Sequence, residues 1–193
     1  MLLEGDLPQG SLCTTDDIAA LIEDLQYTFG EGPCVDAHRS GRPVCEPELA
    51  NPGMPRWPAF APPAVKGGAG AVFGFPVRVG AARLGALNLY RDQPGRLTDD
   101  QHADALVMAD VAAKAILTMQ ADSPPGTIAA ELEIDANFQF VVHQAAGMVS
   151  VQLDVGIGEA MVRLRARAFR TDRLIAGIAQ DVVDRRLCFA ADD

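Results

Sequence analysis

Residues 71–90 read AVFGFPVRVGAARLGALNLY, and this stretch decides the fold. Apolar, β-branched and aromatic side chains fill 71–79 and again 84–90, and Gly80-Ala-Ala-Arg83 between them has the composition of a chain reversal. The pattern predicts two antiparallel strands joined by a four-residue loop at the centre of a sheet. Beyond it, Thr98-Asp-Asp100 supplies a cap for a helix running to about Met119, with Ala105, Leu106, Ala109, Ala113, Ile116 and Leu117 as its apolar side. Before it, Thr15-Asp-Asp17 precedes Ile18, Leu21, Ile22 and Leu25, an i, i+3, i+4, i+7 stripe ending near Gly30. Shorter helices are predicted over 34–40, closed by Gly41, and over 57–66, closed by Gly67-Gly68. Residues 1–120 therefore read as an α+β domain, an antiparallel sheet with flanking helices.

Two prolines and a glycine in Ala121-Asp-Ser-Pro-Pro-Gly126 end the long helix and mark a boundary, with 121–137 as linker or helix start. From 138 to 189 strand alternation is absent, and three helices are predicted over 138–153, 158–170 and 174–187. In the second, Ile157, Met161, Leu164 and Ala168 form one apolar arc, while Arg163, Arg167 and Arg170 fall within a separate arc of about 60°, with Arg165 on the other flank. In the third, Ile175, Ile178, Ala179, Val182 and Val183 form the buried stripe, and Arg185-Arg186 stand where the helix dipole favours cations.

The 193 residues carry 16 basic and 26 acidic side chains, a net charge of −10 that opposes attraction of the whole molecule to nucleic acid or anionic membrane. The charge is unevenly placed: 1–137 holds nine Lys plus Arg against nineteen acids, whereas 138–189 holds seven Arg against five acids. Every cation of that segment is Arg, the side chain suited to bidentate phosphate and base-edge contacts. No apolar run reaches the ~18–20 residues of a membrane helix, and MLLEGDLPQG lacks a basic start followed by an apolar stretch, so a cytoplasmic protein with no membrane association is expected. Cys13, Cys34, Cys45 and Cys188 form no CxxC pair and read as reduced thiols, with Cys34 and Cys45 the one candidate redox pair. His38, His102 and His143 pair with no ligand at helical metal spacing, and Gly30-Glu-Gly-Pro33 is a turn without the spacing of a phosphate loop. No metal, haem or other cofactor is expected. The arginine stripe is the better candidate site, and Phe169, Thr171 and Asp172 beside it offer stacking and hydrogen bonds to an unpaired base.

The stretches Val142-His-Gln-Ala-Ala-Gly-Met-Val149, Gly158-Glu-Ala-Met-Val-Arg-Leu-Arg165 and Thr171-Asp-Arg-Leu-Ile-Ala-Gly-Ile-Ala-Gln-Asp-Val-Val183 resemble an ANTAR domain. Leu25-Gln-Tyr-Thr-Phe-Gly-Glu-Gly-Pro-Cys34, Arg56-Trp-Pro-Ala-Phe60, Phe75-Pro-Val-Arg-Val-Gly80 and Leu84-Gly-Ala-Leu-Asn-Leu-Tyr-Arg91 resemble the GAF domain found ahead of ANTAR in actinobacterial regulators. The resemblance implies a signal-responsive RNA-binding antiterminator: a GAF part sensing a small molecule or partner, a homodimer formed by helices near the junction, and ANTAR helices holding stem-loops of nascent RNA. Carried over by position, His143, Gln144, Arg163, Arg165, Arg167, Arg170 and Arg173 are the implied RNA contacts. Ala145, Gly147, Ala160 and Ala179 are implied close-packing positions, and Phe73, Phe75 and Leu87 line the expected GAF ligand pocket. Two departures stand out. Ala146 replaces the Lys common in the family's QAKG, removing one phosphate contact, and Met1-Leu-Leu starts at or inside the first strand, so the opening GAF helix is expected to be missing. Two other readings stay open: a helix-turn-helix DNA-binding regulator, and a GAF-type thiol redox enzyme of the methionine sulfoxide reductase kind using Cys34 and Cys45.

Overall fold

The computed structural model describes residues 1–4, 7–51, 56–121 and 136–190. In chain order these form β1 (Leu2–Glu4), β2 (Leu7–Gly10), α1 (Asp17–Phe29), α2 (Pro33–Ser40), β3 (Val44–Glu46), α3 (Ala61–Lys66), β4 (Ala71–Val79), β5 (Ala82–Arg91), α4 (Asp99–Ala121), α5 (Ala136–Leu153), α6 (Ile157–Thr171) and α7 (Ile175–Val183). The chain divides into two units, Met1–Ile134 and Asp135–Asp193. The Pro-Gly stretch, and the expected linker up to 135, lie outside the described residues.

The first unit is α+β. β4 and β5 pair antiparallel at the centre of a five-stranded sheet of order β2-β1-β5-β4-β3. The hairpin turn is tighter than the expected four residues. Only Gly80 and Ala81 connect the strands, and Gly80 takes φ 57, a left-handed value that two-residue hairpin turns require and glycine adopts without steric cost. Ala82 and Arg83 join β5 instead, and a register shift between Val77 and Arg78 leaves Leu84 as the extra residue of a bulge. Pro76 is tolerated in a central strand because β3 pairs only with Val72, Phe73 and Gly74, so no ladder there needs its missing N–H.

One sheet face is covered by α4. Phe73, Phe75 and Val77 pack against Ala105, Ala109 and Ala113, so the sheet supplies the bulk and the helix supplies methyl groups that let its backbone approach. Leu106 and Leu117, expected on that side, lie off the alanine line and are exposed. The helix opens with a capping box, Gln101 N donating to Thr98 Oγ1 at 3.2 Å and Thr98 N donating to Gln101 Oε1 at 3.0 Å.

The other face is crossed by α2. It passes so close at Gly74 that a Cβ there would stand 2.3 Å from the Pro33 carbonyl oxygen. α1 begins at Asp16, whose Oδ1 accepts from Ala19 N at 2.8 Å, and closes with Gly30 at φ 66. Glu31 then accepts from the Phe60 N–H at 2.9 Å and pins the entry to α3. That helix starts at Ala61 rather than the expected Trp57, because Pro62 and Pro63 fit only a first turn.

The second unit is all helical. The chain bends by 105° between α5 and α6. α5 packs on both α6 and α7, burying Val142, Ala145, Ala146 and Val149 beside Ala160, Leu164 and Ala168 of α6 and Ile175, Ile178, Ala179 and Val182 of α7. Ile157, expected in the apolar arc, is 60% exposed at the first position of α6, where nothing covers it. α7 ends at Val183, short of the expected 187: Asp184 leaves the helix and Arg185 turns left-handed at φ 59.

Candidate functional site

α6 sorts its side chains by angle. With Leu164 at the centre of the buried side, Arg167, Arg163 and Arg170 fall about 60°, 100° and 120° round one way and Arg165 about 100° round the other. Opposite Leu164 lie Val162, Ala166 and Phe169 at i, i+4 and i+7, all exposed, Val162 at 55% and Phe169 at 61%. An apolar ridge thus runs along α6 with arginines on both flanks. Arg163 Nε donates to Glu159 Oε1 at 2.9 Å, a surface i,i+4 pair of the weak, exchangeable kind. The Thr171 hydroxyl donates to the Arg167 carbonyl at 2.8 Å, which turns it back on the helix and away from any ligand, and Asp172 caps α6 at φ 51.

The structure gives the other implied RNA contacts different settings. His143 and Gln144 are exposed on α5, one turn before Gly147. Gly147 has open space where a Cβ would stand, so it mediates no close approach within this unit, contrary to its expected packing role. Ala145, Ala160 and Ala179 are fully buried as close-packing positions should be, and so is Ala146. Arg173 is a brace: Nη1 donates to Asp181 Oδ2 at 2.8 Å and Nη2 to the Gly177 carbonyl at 3.2 Å. Asp181 also accepts from Arg186 Nε at 3.0 Å, and these hydrogen bonds, Arg173's foremost, hold its carboxyl below the ordinary aspartate value.

In the first unit, Phe73 and Leu87 line an open cleft of about 430 Å³ between the hairpin and the start of α4, together with Leu89, Leu97, Gln101 and Met108. A smaller cleft of about 290 Å³ shares Phe73 and Leu97 and is edged by Cys45, Arg96 and His102. Phe75 stands apart from both, packed in the core with its ring edge-on to His102 at 5.1 Å. Leu89 was legible from its period-2 relation to Leu87, whereas Met108 is visible only once α4 is seated on the sheet. Further along α4, Val107 and Val111 point to solvent with Met108.

Cys34 is fully buried, its backbone N–H bound to Gln26 Oε1 at 2.8 Å. Burial, then the Glu23 carboxylate, pushes its thiol far above the ordinary range, so the nucleophilic thiolate is suppressed. Cys13, Cys45 and Cys188 are exposed. Among the described residues no group of three or more His, Cys, Asp or Glu is placed to hold a metal ion, and no single helix is long and apolar enough to cross a membrane.

No protein-family model and no curated protein matches the sequence. Among solved structures, the domain of a two-component sensor histidine kinase protein from Sinorhizobium meliloti is similar at 23% identity and a TM-score of 0.38, covering 42% of this chain and 55% of that one. The type II free methionine-R-sulfoxide reductase from Thermoplasma acidophilum is similar at 22% identity and a TM-score of 0.36, covering 45% of this chain and 56% of that one. The chain thus spans little more than half the length of either, and likenesses at this level carry no argument about activity.

Proposed function

We propose that this chain is a signal-responsive RNA-binding regulator acting by transcription antitermination, with a GAF-like sensory unit and an ANTAR-like helical unit, and that it is not an enzyme. The reading is carried by one flank of α6, where Arg163, Arg167 and Arg170 share one arc between the buried side and the apolar ridge, the first two half-buried and Arg170 exposed. Such a face matches the spaced phosphates of a folded RNA, and the stretch 138–189 that carries it holds seven Arg against five acids in a chain that is acidic as a whole. The five-stranded antiparallel sheet with helices on both faces is compatible with a GAF-like fold, and the cleft beside Phe73 and Leu87 is the place for its small-molecule signal. The exposed Val107, Met108 and Val111 of α4 supply an apolar face for a homodimer.

The helix-turn-helix reading is weaker on one specific ground. The helix after the short 172–174 turn is α7, whose exposed or half-exposed polar side chains, Gln180 and Asp181, with Asp184 behind them, include no cation to meet DNA phosphates. The thiol-enzyme reading would need a reactive thiolate that Cys34 does not offer.

The test is binding of the full chain to a tandem stem-loop RNA and to duplex DNA of matched length across a salt series. The expected result is preference for the hairpins, with the slope of log affinity against log salt falling by about 2–3 in an R163A/R167A/R170A variant. Unchanged binding by that variant, or preference for the duplex DNA, would overturn the reading.

A further inference from the structure

One row of side chains crosses β3, β4 and β5 on the α4 side of the sheet. Cys45 stands opposite Phe73, and Phe73 opposite Leu89, so all three project from the same face. α4 meets this row with the methyl group of Ala105, and neither Ala105 nor Cys45 has the bulk to fill the space over Phe73. Two adjoining clefts result, with Phe73 and Leu97 in the walls of both, and their chemistry differs. The larger, about 430 Å³, is lined by Leu87, Leu89 and Met108 and carries Arg91 and Asp104, whose charges are opposite. The smaller, about 290 Å³, is edged by Arg96 and His102 and by no carboxylate. Among the described residues, neither the Arg96 guanidinium nor a His102 ring nitrogen has an ion-pair or hydrogen-bond partner, the imidazole meeting only the ring of Phe75.

A molecule that fills both clefts needs an apolar body for Phe73, Leu87, Leu89 and Met108 and an anionic head for the guanidinium and the imidazole N–H. One planar guanidinium matches one carboxylate, two parallel N–H···O bonds to a single negative charge, whereas a phosphate monoester brings about 1.5–2 negative charges to a cleft with one fixed cation. A purely apolar molecule would leave the cationic cleft unused, and an organic cation would be repelled by Arg96. We propose that the adjoining clefts bind a small apolar monocarboxylate, its body on Phe73 and Leu89 and its carboxylate on Arg96 and His102. This rests on the reading of the first unit as a small-molecule sensor and adds the chemical class of the signal.

The experiment titrates the full chain with naphthoate, naphthamide and naphthyl phosphate, one apolar body with three head groups, and follows ligand fluorescence. Occupancy is read a second time at Cys45, the one exposed thiol left in a C13S/C188S variant, because a molecule seated over Phe73 shields the thiol opposite it from a disulfide reagent. Naphthoate is expected to bind at least about tenfold more tightly than naphthamide, as hydrogen bonds to a charged acceptor should give, and to slow modification of Cys45. R96A is expected to bring naphthoate down to the level of naphthamide and to leave naphthamide unchanged. Arg96 is exposed, so this variant keeps the fold, which circular dichroism checks. If naphthoate and naphthamide bind alike and both protect Cys45, the carboxylate class is overturned and the small-molecule reading stands. Tighter binding of naphthyl phosphate, or naphthoate binding untouched by R96A, also overturns the proposal. If none of the three binds or protects Cys45, the placing of a signal in this cleft fails with it. A Cys45 already shielded without ligand, in a protein that light scattering shows to be a dimer, would mean that a second copy covers the cleft and would overturn the proposal.

Discussion

Arg173 and Asp181 are joined at 2.8 Å, and their pairing closes the turn between α6 and α7. The arginine that the resemblance offers as an RNA contact is therefore engaged within its own unit. R173A and D181N should both lower the melting temperature, D181N the more because Asp181 also serves Arg186, and, measured well below that temperature, should leave hairpin affinity alike. A tenfold loss in R173A with none in D181N would return Arg173 to the binding face. Because the Asp181 carboxyl titrates below its ordinary value, the pair stabilises at neutral pH, and its contribution is lost as acidification passes the ordinary aspartate value and reaches the lower folded one.

The Asp16 carboxylate serves two partners, the Ala19 N–H at 2.8 Å and the Tyr90 hydroxyl at 2.9 Å, fastening α1 to β5. The Ala19 bond, with help from Tyr90, lowers the Asp16 carboxyl, and the bond to Asp16 raises the Tyr90 phenol. The contribution should be present above the ordinary Asp value and below the ordinary Tyr value. It should fade as acid protonates Asp16 and as alkali ionises Tyr90. Thermal melts across pH will show Y90F removing the alkaline arm and shrinking the acid one, and D16N retaining a cap while losing the acid arm.

Gly147 sits in α5 with open space outward. Replacing it with alanine should stabilise the helical unit by about 0.5–1 kcal/mol, the propensity difference between the two residues, read as a higher urea midpoint at unchanged m-value. A destabilised G147A would mean that the glycine packs against something after all.

Thiol accessibility separates one cysteine from the others. Cys13, Cys45 and Cys188 should react rapidly with an aromatic disulfide reagent at pH 8, and Cys34 only on unfolding. C34S should cost about 1–3 kcal/mol, since it buries a hydroxyl where a thiol packed. Rapid modification of all four thiols in the native protein would contradict the buried position of Cys34.

The features legible in the sequence were those set by one or two residues acting locally. Asp16 and Gly30 bound α1, Gly41 ends α2, Thr98 starts α4, and the hairpin partners follow from alternation alone. What escaped depends on neighbours distant in sequence. β2 and β3, at four and three residues, are too short for any period to show. The hairpin turn was misjudged because the bulge at Leu84 mimics a longer loop. Ile157 has the right angle for burial, but at the end of a helix angle alone does not bring a neighbour over it. For the candidate site, the Arg163, Arg167 and Arg170 arc was readable as a helical period. The diversion of Arg173 to Asp181 was not, since it needs the turn at Asp172 to bring α7 back alongside.

The crowding at Gly74 has a genealogical reach. With the Pro33 carbonyl where a β-carbon would be, position 74 has no alternative occupant unless α2 moves. Drift can rewrite most of the surface, yet lineages that keep this helix against this strand must keep that glycine. Paired with the Gly-Pro that begins α2, it offers a fixed point for recognising kin whose remaining letters have diverged past comparison.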